Sequence, residues 1–78
     1  MAQLLLWAQA RQAAGRSRAE FGGSTVAAVL ESAVAQFGPG FAEVLATCAV
    51  WVNGEPAQPT DEVRDDDEVA ILPPVSGG

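Results

Sequence analysis

The apolar positions of this chain follow two different periods, and the changes of period mark out its elements. Val26, Val29, Leu30, Ala33, Val34 and Phe37 recur at offsets of 0, 3, 4, 7, 8 and 11. That spacing lays a single apolar stripe along an amphipathic helix. Ser24 or Thr25 is placed to cap its first amides, Gly38 stops it, and Pro39 prevents its resumption. One further helical turn is predicted over residues 41–46, with Phe41 and Leu45 facing inward.

Elsewhere the period is two. A strand over residues 3–9 would set Leu4, Leu6 and Ala8 on one face and Gln3, Leu5, Trp7 and Gln9 on the other. The second set holds the polar residues and is assigned outward, which makes Leu5 and Trp7 an apolar spot on a wet face. Residues 10–17 read as a loop eased by Gly15, and residues 18–21 as an antiparallel return strand ahead of Gly22-Gly23. Residues 49–52 form a β-type run that meets Asn53-Gly54, a strong tight-turn signal. Trp51 falls outward by parity, but the Pro-rich stretch beside it can cover the ring, so it is assigned to the core. Pro56 and Pro59 exclude a central strand from that stretch. The last strand spans residues 68–72, with Val69 and Ile71 inward and Glu68, Ala70 and Leu72 outward. Pro73-Pro74 ends all pairing because neither residue has an N–H to donate, so residues 73–78 are expected to form a projecting, flexible tail. The order strand, strand, helix, strand, strand defines an α+β fold, one sheet with one main helix across it.

Length and charge narrow what such a fold can do. Seventy-eight residues make one domain, 1–78, with little room for a deep enclosed site. The net charge of −6, with four Arg and no Lys, repels phosphate backbones and anionic lipid. Nucleic-acid and membrane partners are therefore not expected, whereas a protein with a basic face is. The lone Cys48 and the absence of His exclude an internal disulfide and a zinc site, and they fit a reducing, cytoplasmic setting. Cys48 itself reads as a small buried apolar residue. Asp61, Glu62, Asp65, Asp66, Asp67 and Glu68 read as a solvated acidic turn. No nucleophile–base pair is present, so the chain is not expected to be an enzyme by itself.

The candidate chemistry lies at Gly77-Gly78. A backbone without Cβ atoms can thread a narrow channel in another protein, and Pro73-Pro74 stiffens the base from which it projects. A carboxylate is a poor electrophile. An enzyme can convert it with ATP into an acyl-adenylate, from which a sulfur nucleophile displaces AMP.

Several segments resemble the MoaD/ThiS family of ubiquitin-like β-grasp sulfur carriers, and most of all its MoaD branch, the small subunits of molybdopterin synthase. The likeness runs through Leu5-Leu6-Trp7-Ala8-Gln9-Ala10-Arg11 with Gly15, Thr25-Val26, Val52-Asn53-Gly54-Glu55, Asp67-Glu68-Val69-Ala70 and Pro73-Pro74-Val75-Ser76-Gly77-Gly78. It implies a β-grasp fold and a carrier role. A MoeB-like enzyme would adenylate Gly78 with ATP, and sulfur would replace AMP to leave a thiocarboxylate. The tail, with Val75, Ser76 and Gly77 threading, would enter a MoaE-like large subunit, giving a heterotetramer. There the sulfur would pass to cyclic pyranopterin monophosphate in molybdenum cofactor biosynthesis. Leu5, Trp7, Arg11, Leu72, Pro73 and Pro74 would meet the partner, and no cofactor or metal would be bound. Three positions depart from the family pattern. Asp66 stands where Gly is usual, and Asp tolerates the left-handed backbone such a turn could need. Gln12 and Leu72 replace a frequent Glu and a frequent aromatic. Alternatives are a ThiS-like or cysteine-synthase-linked sulfur carrier, or a ubiquitin-like protein modifier.

Overall fold

A computed structural model describes residues 1–73. The sheet is built from β1 (Ala2–Leu6), β2 (Arg18–Phe21), β3 (Ala49–Val52), β4 (Glu55–Pro56) and β5 (Glu68–Leu72), in the order β2-β1-β5-β3-β4. β5, last in sequence, is central in space. It pairs parallel with β1 and antiparallel with β3, while β2 and β4 close the two edges antiparallel. This is the mixed sheet of a ubiquitin-like β-grasp. Pro56 sits on the edge strand, where its missing N–H costs no ladder bond.

Three helices are present among the described residues: α1 (Ala8–Ala14), α2 (Val26–Phe37) and α3 (Pro39–Leu45). They cover one face of the sheet. Leu4, Leu6, Ala19, Phe21, Val69 and Ile71 from the strands pack there against Ala10, Val26, Val29, Ala33 and Phe41. Phe21, Phe37 and Phe41 form an edge-to-face chain, with ring centroids 5.7 and 5.1 Å apart, a geometry that adds to simple area burial. The inward assignments of Leu4, Leu6, Phe41, Val69 and Ile71 hold. Leu45 is half-buried against the same core.

α2 has the bounds its periodicity predicts, and its start is closed by groups from two segments. The Ala28 amide donates to Thr25 Oγ1 at 3.1 Å. The Val26 and Ala27 amides donate to the carbonyls of Asp61 and Pro59 at 3.0 and 2.9 Å. A strap over residues 57–63 thus satisfies amides that a helix leaves open at its start, and it buries Val63. Gly23 lies under this junction with φ of +148°, where a Cβ would stand 2.9 Å from the Val29 amide nitrogen. Pro39 opens α3, where its fixed φ suits the first helical turn.

Two expectations are corrected. The first strand ends at Leu6 rather than at residue 9, and α1 takes up residues 8–9 of the expected strand and residues 10–14 of the expected loop. Ala8, assigned inward, is exposed at the turn into α1, with φ of +49°. The segment Ala8-Gln9-Ala10-Arg11-Gln12-Ala13-Ala14 contains only strong helix formers. Its core contacts are Ala10, buried, and Ala14, half-buried. Alanines this small leave no large-apolar stripe, which is why periodicity did not reveal the helix. Trp51 is corrected as well. It is half-buried on the helix-free face, and neighbouring segments do not enclose it.

Candidate functional site

The strand registers organise the helix-free face into rows. Arg18, Leu5, Ala70, Trp51 and Pro56 are successive partners across all five strands. The small Ala70 lies at mid-row between Leu5 and Trp51, so the row dips at its centre. One step toward the β5 exit, Ala49 partners Leu72. One step the other way the face is polar, with Glu20, Gln3 and Glu68 in register. The outer face therefore has an apolar half and an acidic half.

The apolar half lies where β5 ends. The Trp7 amide donates to the Ile71 carbonyl at 3.3 Å, tying the start of α1 to the last residues of β5. Trp7 is 55% exposed, and it and Met1 are the large apolar residues most open to solvent among those described. Its exposure follows from the strand-to-helix switch at Ala8, which carries the ring off the end of β1. An indole held open to water at an element boundary is poor for folding and suited to an interface. Leu5, Leu6, Trp7, Arg11, Ser17 and Arg18 line a shallow groove of about 480 Å³ here.

Of the residues expected to meet a partner, Leu5, Trp7, Arg11 and Leu72 lie at this end, and Pro73 follows directly from β5 as an exposed residue. Pro74, Val75, Ser76, Gly77 and Gly78 lie outside the described residues. Sequence reasoning missed Arg18. Its signal was available, since parity places it outward on β2 and antiparallel pairing could set it beside Leu5. Reading only large apolar residues hid it. Trp51, assigned to the core, joins the face instead.

The acidic residues resolve into two turns with the same closure. The Asp61 carboxylate accepts the Gln58 amide at 2.8 Å, and the Asp67 carboxylate accepts the Arg64 amide at 2.8 Å. Each aspartate amide donates back to the carbonyl of the same partner at 3.0 Å. These short side-chain caps suit a tight turn. The amide bond from Arg64, then that from Asn53, holds the Asp67 carboxyl below the usual aspartate range. Asp66 does not have a positive φ, so the left-handed backbone allowed for it is not required. Cys48 is half-buried, and its thiol donates to the Val44 carbonyl at 3.2 Å. Among the described residues no group of three or more His, Cys, Asp or Glu could hold a metal ion, and no polar side chain is buried. No described helix is long and apolar enough to cross a membrane.

The fold is that of the ubiquitin-like β-grasp proteins, a small unit whose central strand ends beside an exposed apolar face. The ThiS family pattern matches residues 4–78, so the chain belongs to the ThiS family of MoaD/ThiS sulfur carriers. It is 35% identical over 81 aligned residues to a molybdopterin synthase sulfur carrier subunit of Chlamydomonas reinhardtii, covering 97% of this chain and 96% of that one. In structure it is similar to the small archaeal modifier protein 1 of Haloferax volcanii, at 30% identity and a TM-score of 0.79, with 99% of this chain and 98% of that one covered. The small archaeal modifier protein 1 of Methanosarcina acetivorans matches at 27% identity and a TM-score of 0.87, covering 99% and 95% of the two chains.

Proposed function

We propose that this chain is the sulfur-carrier small subunit of a molybdopterin synthase and that its carrier group is the Gly78 carboxylate. The observation that carries the reading is the position of β5. The central strand ends at Leu72 beside Trp7 and Leu5, on the exposed apolar half of the sheet. A partner that grips this half also receives the chain end. The likeness to the algal carrier subunit supplies the pathway, and the family match extends to residue 78.

The chain contributes presentation, and its partners contribute catalysis. A MoeB-like enzyme joins the Gly78 carboxylate to the adenylyl group of ATP, releasing pyrophosphate. A sulfur donor displaces AMP, and the product is a thiocarboxylate. A MoaE-like large subunit then takes the tail into its own site, where Gly77 and Ser76 present little side-chain bulk to a narrow channel. Sulfur passes to cyclic pyranopterin monophosphate, and hydrolysis returns a carboxylate for recharging. Two such deliveries provide the dithiolene sulfurs. A reducing cytoplasmic location agrees with a lone, half-buried cysteine.

Incubation with a MoeB-like enzyme, ATP and a sulfur donor is expected to raise the intact mass by the difference between sulfur and oxygen, with the change mapped to the last peptide. An unchanged mass would refute the carrier reading. Appending one residue after Gly78 should abolish this gain while leaving the melting temperature in place.

The likeness to two archaeal modifier proteins favours one second reading, attachment of Gly78 to lysines of other proteins. A ladder of heavier adducts on a denaturing gel would distinguish it, because a carrier recycles free.

A further inference from the structure

The net charge of −6 does not describe the end of the molecule that docks. Three of the four arginines, Arg11, Arg16 and Arg18, fall between α1 and the start of β2, at the same end of the sheet as Trp7 and the β5 exit. Arg11 and Arg18 line the groove together with Leu5 and Trp7, and among the described residues no carboxylate lines it. Among the described residues, the one ion pair within 4.0 Å joins the amino group of Met1 to Asp65, at the opposite end. That end holds the complementary charge, in a groove lined by Glu20, Asp65, Asp66 and Glu68. Charge is therefore separated along the strands, with the basic pole on the apolar half.

We infer that Arg11 and Arg18 form a cationic rim that reads carboxylates on the docking partner, which presents an apolar side chain to Leu5 and Trp7 and acidic residues around it. The inference rests on the docking role proposed above, but it reverses the partner charge that the whole-chain balance suggests. Arg18 is the specific new assignment. It stands in register with Leu5, so a partner side chain seated on Leu5 brings its neighbours within reach of the guanidinium. Arg11, carried by α1, lines the same groove. A basic partner would meet two cations at this end and would be driven toward the acidic pole, away from the β5 exit. An acidic rim on the partner selects the end from which the chain leaves. The charge separation thus sets orientation as well as attraction.

Rim charges act chiefly on encounter, so association rate and its salt dependence are the quantities to measure. The probe is the large subunit of the organism's molybdopterin synthase, assayed by stopped-flow against the full chain and against R11E/R18E, R18K and L5D. R11E/R18E should lower the association rate about tenfold or more at low salt and flatten or invert its salt dependence, with dissociation changed much less. R18K should stay close to the parent chain, whereas L5D should act mainly through faster dissociation. Parent-like rates and salt slope in R11E/R18E, with L5D impaired, would overturn the rim and leave the carrier reading intact. Faster association of R11E/R18E would also overturn it, pointing to occupation of the groove by the chain's own terminal carboxylate. If the parent chain does not bind the large subunit at all, both the rim and the proposed function fail.

Discussion

The Asn53 side-chain amide donates to the Asp67 carboxylate at 2.9 Å, joining the β3–β4 turn to the turn that launches β5, fourteen residues later. The clamp has two further bonds. The Glu68 amide donates to Asn53 Oδ1 at 3.0 Å, and the Asn53 amide donates to the Glu68 carbonyl at 2.9 Å. Asn53 takes φ of +50° and Gly54 φ of +84°, the paired left-handed values of the hairpin turn that matches strand twist. One residue therefore sets a hairpin and fixes the register in which the central strand begins. The clamp sits at the pole opposite the β5 exit, so the docking half is positioned from behind.

Replacing Asn53 with Ala should lower stability by about 1–3 kcal/mol, because a left-handed position loses a tolerant residue and the Glu68 amide loses its side-chain acceptor. Chemical denaturation of parent and variant checks this. A midpoint unchanged in N53A would show that the clamp does not contribute.

The same clamp makes a pH prediction. Asp67 is held below its ordinary value of 3.8, first by the Arg64 amide and then by Asn53. Below 3.8 the unfolded chain takes up the proton before the folded one, so stability from this group is complete above that pH and is lost as pH falls through the depressed folded value. The parent chain should therefore lose its advantage over D67N as the solution is acidified into that range. Urea midpoints measured for both proteins across the acid limb test it, and a constant difference between them would contradict the assignment.

Phe41 is fully buried and stacks edge-to-face on Phe37, which in turn meets Phe21. Truncation to Ala should cost about 3–5 kcal/mol, from lost transfer energy and the cavity left behind. In a domain this small that approaches total stability, so F41A is expected to melt far lower or to populate unfolded chain at room temperature. Calorimetry against the parent gives the shift.

Gly23 has both a left-handed φ and a close neighbour, the Val29 amide nitrogen at 2.9 Å from a hypothetical Cβ. G23A should destabilise by about 1–3 kcal/mol, since the contact is backbone and cannot swing aside. Gly22, with nothing within 4 Å of its Cβ position, is the control. Equal melting temperatures for G22A and G23A would contradict the close approach.

Trp7 lies outside the core and is 55% exposed, so W7A should leave the melting temperature nearly unchanged while weakening large-subunit binding at least tenfold, as expected for an interface anchor. Titration calorimetry beside thermal melts separates the two effects. A large loss of stability with intact binding would return Trp7 to a structural role.

The primary sequence alone determined the elements whose signal is local. The α2 stripe, the Asn53-Gly54 turn and the alternation of residues 68–72 each encode their structure through spacing or backbone preference, and all three stand where expected. The MoaD/ThiS resemblance was also legible in short segments. Tertiary structure decided what depends on alignment between distant segments. The parallel pairing of β1 with β5 moves the last strand to the centre, and only that pairing sets Leu5 and Trp51 on either side of Ala70. α1 escaped notice because alanines bury too little surface to announce a face, yet they fit closely once α3 packs nearby. Charge behaved in the same way. Composition supplies a sum, whereas the fold separates Arg11, Arg16 and Arg18 from the acidic turns at the other end of the strands, and a partner responds to the local sign because screening in salt limits charge effects to about a nanometre.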